Sequence, residues 1–292
     1  MSIGKANLIL ANGHVPTEGR MARTNLTAAR IKPATVELLT LHVLRREQVT
    51  PAMARVTLGD GDIRRFAPMG FDQWFRLFIP AEGGTLERVP AKLDTLSYLR
   101  FLTVAKAVRP AMRSYTVRAY RPDGPDGPEL DVDVVLHGSD AGGHGPGMAW
   151  AQSCERGDPV ALLDEGIGFN PPPGAERLLL VADESGLPAT AGVLASLPRD
   201  ARGHALVEVP SDDDRQELDP PPGVEVHWLA RTGGDAVPGR LALHAAQELA
   251  LPDEPVYGWV VGEQSLATGL RRHWVRAGVP KDHVMFCGYW KA

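Results

Sequence analysis

Arg113-Ser114-Tyr115-Thr116-Val117-Arg118 reads as a β-strand, because Tyr115, Thr116 and Val117 are strand formers. Side chains alternate along a strand, so Arg113 and Tyr115 share one face and Ser114 and Thr116 share the other. The first face offers a guanidinium and an aromatic ring; the second offers two hydroxyls. A flavin nucleotide requires such groups: a ring against the isoalloxazine, a hydroxyl at its polar edge, and a bidentate fork for a phosphate. Alone, the hexapeptide is equally an ordinary half-exposed strand, and its surroundings carry the decision.

Upstream, Val36–Leu44 and Ala54–Leu58 look like antiparallel strands, the second running into a turn at Gly59–Asp62. Phe71–Ile79 is a further strand closed by Pro80, and the leucines of Leu93–Val108, spaced by three, predict a helix. Downstream, Pro122–Pro128 reads as a turn-rich loop, and the clean alternation of Leu130–Leu136 predicts a hairpin with the hexapeptide. Val160–Leu163 is the last strand of this half. Many short strands with little helix predict a six-stranded antiparallel β-barrel over residues 35–170. Within it, the glycine-rich run Gly142–Trp150 opens a short helix whose unpaired N–H groups and positive dipole end suit an anion.

Pro171-Pro-Pro-Gly174 is the clearest linker, and beyond it the pattern changes. Leu178–Ala182 is apolar without alternation, as in a strand buried on both faces. Asp183-Glu184-Ser185-Gly186 leads into a helix over Leu187–Leu197. Strands at Ala205–Val209, Val224–Leu229, Val256–Val261 and Val284–Cys287 alternate with helices at Arg240–Leu249 and Glu263–Arg276. This alternation predicts a doubly wound parallel-sheet nucleotide-binding domain over residues 171–292, with ligands at the carboxyl ends of its strands. The fold class is therefore β followed by α/β. Residues 1–34 lack periodicity and read as an N-terminal arm, or as an over-long start with Met21 as the alternative.

At 292 residues the chain has room for two domains, and 43% apolar with 23% charged residues is ordinary for a globular protein. A net charge of −5 gives no field for nucleic acid or an anionic membrane. No apolar run approaches the ~20 residues of a membrane span, and no signal pattern opens the chain. Cys154 and Cys287 form neither a disulfide framework nor a zinc spacing, which fits a reducing cytoplasm.

A flavin motif on a barrel followed by a doubly wound domain is the layout of a reductase. The residues resemble the siderophore-interacting protein family, FAD-dependent ferric-siderophore reductases of the ferredoxin-reductase superfamily. The resemblance lies in Arg113–Arg118, Val134-Val-Leu-His-Gly138, Gly145-Pro-Gly-Met-Ala-Trp-Ala151, Leu180–Ala189, Val260-Val-Gly-Glu263 and Gly288-Tyr-Trp-Lys291, six segments in the family's order. It implies that Arg113, Ser114, Tyr115 and Thr116 bind the flavin of FAD, with Leu136 and His137 beside it. It implies that Gly145, Pro146, Gly147, Met148, Ala149 and Trp150 meet the diphosphate at a helix start. Met148 departs from the family, which often has a small hydroxyl residue there, so one side-chain bond is expected to be missing. Asp183, Glu184 and Ser185 would face NADPH or NADH, although they do not form a G-x-G-x-x-G fingerprint.

The resemblance implies electron transfer from the nicotinamide through FAD to a ferric siderophore, with no acid–base residue in the chemistry. Iron is cargo, so no protein metal site is expected. Arg76 and Lys291 stand where the family often has basic residues and are the candidates for an anionic siderophore; neither has an acidic neighbour in sequence. Arg88, Lys92, Arg100, Lys106, Arg109 and Arg113 form a basic run, and most of them read as a solvated helix face. Asp212–Asp214 reads as a solvated loop, and Tyr289-Trp290 as either a hydrophobic plug or a flavin neighbour. The alternatives are a flavin or ferredoxin-type reductase with a protein partner, and a binding module without catalysis.

Overall fold

The structure is a computed structural model that describes residues 24–26, 30–136, 145–231 and 237–291. Its first half is an antiparallel sheet of β1 (Leu38–Thr50), β2 (Met53–Gly59), β3 (Trp74–Ile79), β4 (Ala111–Thr116), β5 (Ala119–Gly124), β6 (Gly127–Val135) and β7 (Pro159–Gly166), in the order β4-β3-β7-β1-β2-β6-β5. Helix α1 (Thr95–Leu102) and helix α2 (Pro146–Ser153) interrupt it. The sheet curls until Arg118, just past β4, donates its backbone N–H to the Asp131 carbonyl on β6 at 2.9 Å. Leu41, Val56, Leu58, Phe75, Leu77, Leu130 and Val132 fill the interior, all fully buried.

Two expectations are corrected. The sheet has seven strands rather than six among the described residues, because β5 runs from Ala119 into the start of the stretch read as a loop. Pro122 hides it in the sequence, yet β5 is an edge strand, where a residue without an N–H is tolerated. Nor does Leu130–Leu136 form a hairpin with the hexapeptide, of which only Arg118 bonds to it. β6 pairs with β2 and β5, while β4 pairs with β3 in the register Trp74↔Thr116, Arg76↔Ser114. The chain changes partner at the end of β4, where Val117 N–H bonds Gln73 and Arg118 N–H bonds Asp131.

The second half is a five-stranded parallel sheet, β10-β9-β8-β11-β12, formed by β8 (Arg177–Ala182), β9 (Arg202–Val209), β10 (Gly223–Ala230), β11 (Val256–Glu263) and β12 (Val284–Trp290). Alternate residues of β8 feed two cores. Leu178 and Leu180 pack with Val193 and Leu194 of α3 (Leu187–Ser196). Leu179 and Val181 pack with Ala242 of α4 (Arg240–Glu248) and with Leu266 and Leu270 of α5 (Gln264–Arg276). Strand order reverses between β8 and β11, so the crevice for a ligand opens at their carboxyl ends.

The halves are joined by buried polar contacts. Asp72, ahead of β3, accepts from the backbone N–H groups of Gly168 and Phe169 and, at 3.2 Å, from Trp259 Nε1 on β11. Asp214 is buried rather than solvated: it accepts from Thr50 Oγ1 at 2.8 Å and Ala52 N–H at 2.7 Å. The described part of the N-terminal arm is docked, contrary to the reading of a free arm. Asn25 exchanges bonds with Val284 and Phe286 on β12, and Ile31 forms a bridge with Ile167. Short ordered segments need no periodicity of their own when they borrow a strand edge.

Candidate flavin and nucleotide site

β4 and the start of α2 build one wall of the site. Arg113 and Tyr115 do share a face, and that face meets α2. A Cβ on Gly147 would lie 2.1 Å from Tyr115 Oη and 3.6 Å from Arg113 Cγ. Only glycine lets the helix approach the strand so closely. Gly145 is the N-cap and supplies no side-chain bond, and Pro146 has no N–H, so among the described residues no side chain caps the remaining donors of the first turn. Burial pushes the Tyr115 phenol up to about 12 against the opposing Arg113 charge, so it stays a neutral donor.

Beside this wall lies a cavity of about 250 Å³ lined by Tyr98, Phe101, Lys106, Arg109, Arg113 and Pro146. The sequence reading missed Lys106 and Arg109. α1 ends at Leu102, earlier than its leucine spacing predicted, and the two cations lie on the return to β4 instead of on a helix face. Three cations and a bare helix start around one cavity fit a diphosphate, and the ring of Tyr115 fits a flavin beside it. Met148 is half-buried and Ala149 exposed, so bonding at this turn falls to the backbone. Trp150 is buried in the barrel core, against which Leu136 packs; His137 lies outside the described residues.

The other face of β4 turns toward the second domain. Thr116 is buried and lies beside Tyr289 on β12. Tyr289 of the pair Tyr289-Trp290 thus lies against the strand that carries Thr116. Ser114 is exposed and accepts from Arg76 Nη1 at 3.2 Å. Arg76, without an acidic neighbour in sequence, has one in space. Its side chain is 7% exposed, its Nε lies 3.4 Å from Glu165 Oε1, and its guanidinium sits 5.2 Å over the Trp74 ring. Glu165 also pairs with Arg30. The acidic partner was invisible in the sequence because it comes from β7. Lys291 is exposed at the end of β12.

At the carboxyl ends of β8 and β11, the three residues read as nucleotide contacts are engaged within the chain. Asp183 accepts from Ser185 N–H at 2.9 Å, Ser185 Oγ at 2.5 Å, Glu263 N–H at 2.6 Å and Trp290 Nε1 at 3.2 Å. Burial, then the neighbouring Glu184 charge, push its carboxyl up to about 6 against these bonds. Gly262 has φ +126°, and a Cβ there would stand 2.6 Å from the Asp183 carboxylate, so this packing demands glycine. Glu184 forms a two-bond pair with Arg231, which also holds Glu208 at 2.7 Å. Glu208 in turn accepts from Gly239 and Ala242 N–H at the start of α4.

Comparisons with known proteins agree with this geometry. The sequence profile described as the siderophore-interacting FAD-binding domain matches residues 42–167, and that described as siderophore-interacting protein matches residues 175–292. The uncharacterized protein Rv2895c of Mycobacterium tuberculosis is 35% identical over 260 residues, covering 85% of this chain and 88% of the relative. The ferric vibriobactin reductase ViuB of Vibrio cholerae is 26% identical over 259 residues, covering 86% and 88%. The crystal structure of a siderophore utilization protein from T. fusca superposes with a TM-score of 0.68 at 30% identity, covering 88% of this chain and 93% of that one.

Proposed function

The chain belongs to the siderophore-interacting protein family, and from that premise we propose that it is an FAD-dependent ferric-siderophore reductase. Electrons pass from NADPH or NADH by way of FAD to siderophore-bound Fe(III). The observation that carries this reading is the face shared by Arg113, Tyr115 and the uncapped start of α2 over Gly147. FAD, when bound, supplies a carrier that takes two electrons together and releases them singly.

The chain's own residues position and polarise. Arg113, Lys106 and Arg109 together with the α2 N–H groups hold the diphosphate, and Tyr115 flanks the ring. Ser114 offers its exposed hydroxyl to the polar edge, while Thr116 is buried beside Tyr289. The nicotinamide nucleotide enters at the crevice between β8 and β11. Two Fe(III) ions each accept one electron per hydride delivered. Fe(II) is held more weakly by the siderophore's hard oxygen ligands, so reduction frees it. Lys291 is the exposed cation best placed to meet an anionic siderophore. The reaction belongs in a reducing cytoplasm, where Cys154 and Cys287 are free thiols. No helix among the described residues is long and apolar enough to cross a membrane.

A second reading has one observation in its favour. Asp183, Glu184 and Ser185 spend polar atoms inside the chain, which leaves little for a nucleotide and suits a reduced protein donor such as a ferredoxin. Anaerobic titration separates the two. The nicotinamide reading expects NADPH or NADH to bleach the flavin stoichiometrically. Bleaching by a reduced ferredoxin and by neither nucleotide would replace it with the protein donor.

A further inference from the structure

His204, Glu225 and His227 stand apart from the site described above, on the first half of β9 and β10. These strands run in register without a bulge, with Glu225 opposite His204 and His227 opposite Leu206. Paired residues of a parallel ladder point to the same side, and side chains two apart share a face, so all three project from one face of the sheet edge. His204 Nδ1 and His227 Nε2 are 3.1 Å apart; Glu225 Oε2 is 3.5 Å from the first and 3.7 Å from the second. We propose that these three side chains form a binding site for one divalent transition ion of the borderline class, with zinc as its best-suited member.

The geometry supports this in three ways. A tetrahedral ion with ligand distances of ~2.0–2.1 Å places its ligands about 3.3–3.4 Å from one another. The observed edges of 3.1, 3.5 and 3.7 Å bracket that value, so three corners of a tetrahedron are in place before any ion arrives. Two imidazoles and one carboxylate are also the donor set that borderline ions prefer to magnesium or calcium. Finally, the two ring nitrogens, 3.1 Å apart, can share only one proton between them, whereas an ion satisfies both and the carboxylate too. Half exposure of the histidines, 36% and 34%, leaves the fourth corner to water. The sequence gives no sign of the site, because its ligands come from two strands and match no zinc spacing. The ion would clamp the edge strand β10 to β9, a role separate from electron transfer.

The test is competition of the full-length flavoprotein against a chromophoric chelator for Zn2+, repeated with Co2+ to read coordination from its visible absorption. One site per chain is expected, with the intense bands of tetrahedral Co2+. His204→Ala and His227→Ala should each weaken Zn2+ by about tenfold or more, and Glu225→Gln should weaken it less. The thermal midpoint of the parent should rise with Zn2+, and that of His204→Ala should not. Unchanged flavin content in each variant shows that the fold is kept. Zn2+ affinity equal to the parent's in both histidine variants, or no stoichiometric Zn2+ in the parent, would overturn the proposal.

Discussion

Trp290 Nε1 donates to Asp183 Oδ2 across 3.2 Å, tying the last strand of the chain to the turn after β8. This bond hangs on a carboxyl held up to about 6 by burial and by Glu184. Its folded value lies above the ordinary 3.8, so the folded state binds the extra proton between those values. The resulting stability is full below about 3.8 and is lost as pH rises through about 6. Asp183→Asn cannot titrate. Its unfolding free energy relative to the parent should improve from pH 4 to pH 7, by on the order of 2–3 kcal/mol. Urea unfolding at both pH values measures this, and a difference independent of pH would contradict it.

Gly147 and Tyr115 give a paired prediction. Gly147→Ala drives a methyl into the Tyr115 hydroxyl, 2.1 Å away, and should lower FAD affinity by moving the ring or the helix. Tyr115→Phe removes the clashing oxygen, so the double variant should bind FAD better than Gly147→Ala alone. Arg113→Ala removes a charge-assisted phosphate contact of ~1.5–3 kcal/mol and should weaken FAD about ten- to a hundredfold. Flavin retained after dialysis of Arg113→Ala would contradict the assignment.

Arg76 and Lys291 should behave differently, although both were read as siderophore contacts. Arg76→Ala leaves Glu165 partly buried without one of its partners, and removal from a buried pair costs ~3–5 kcal/mol. The 16% exposure of Glu165 and its second partner Arg30 put the expected loss at the lower end. Lys291→Glu should leave stability unchanged, raise KM for an anionic ferric chelate, and lose that effect as salt increases. Equal stability of Arg76→Ala and parent in urea would return Arg76 to the substrate.

Asn25 tests the docked arm. Its side chain donates to the Val284 carbonyl at 2.7 Å and accepts from Phe286 N–H at 2.9 Å. Asn25→Ala should destabilise by ~1–3 kcal/mol by leaving the β12 edge unpaired. Hydrogen exchange at Phe286 should quicken by a matching factor; unchanged exchange would mean the arm does not hold β12.

Much of the fold was legible because local pattern and burial agree. The unbroken apolar run Leu178–Ala182 is buried on both faces, and Arg113 and Tyr115 share a face as alternation requires, although β4 ends at Thr116, two residues short of the hexapeptide's end. What failed depended on distant partners. β5 was lost because Pro122 signals a loop and only sheet position shows it to be an edge. The pairing of β6 was misassigned because alternation states that a strand exists and not which strand it meets. In the site, Arg113 and Tyr115 were readable from their spacing. Lys106 and Arg109 were not, because their convergence depends on where α1 stops. The partner of Arg76 was not legible because Glu165 lies 89 residues away in sequence.

The central claim is transfer of electrons from flavin to siderophore-bound iron. It is tested most directly by reducing the purified FAD-loaded protein under anaerobic conditions, then adding an anionic ferric siderophore with a ferrous indicator. The account predicts that the flavin absorbance returns as indicator-bound Fe(II) appears, two Fe(II) for each FAD reoxidised. Flavin that stays bleached in the presence of the ferric siderophore, while still reoxidised by a generic electron acceptor, would contradict it.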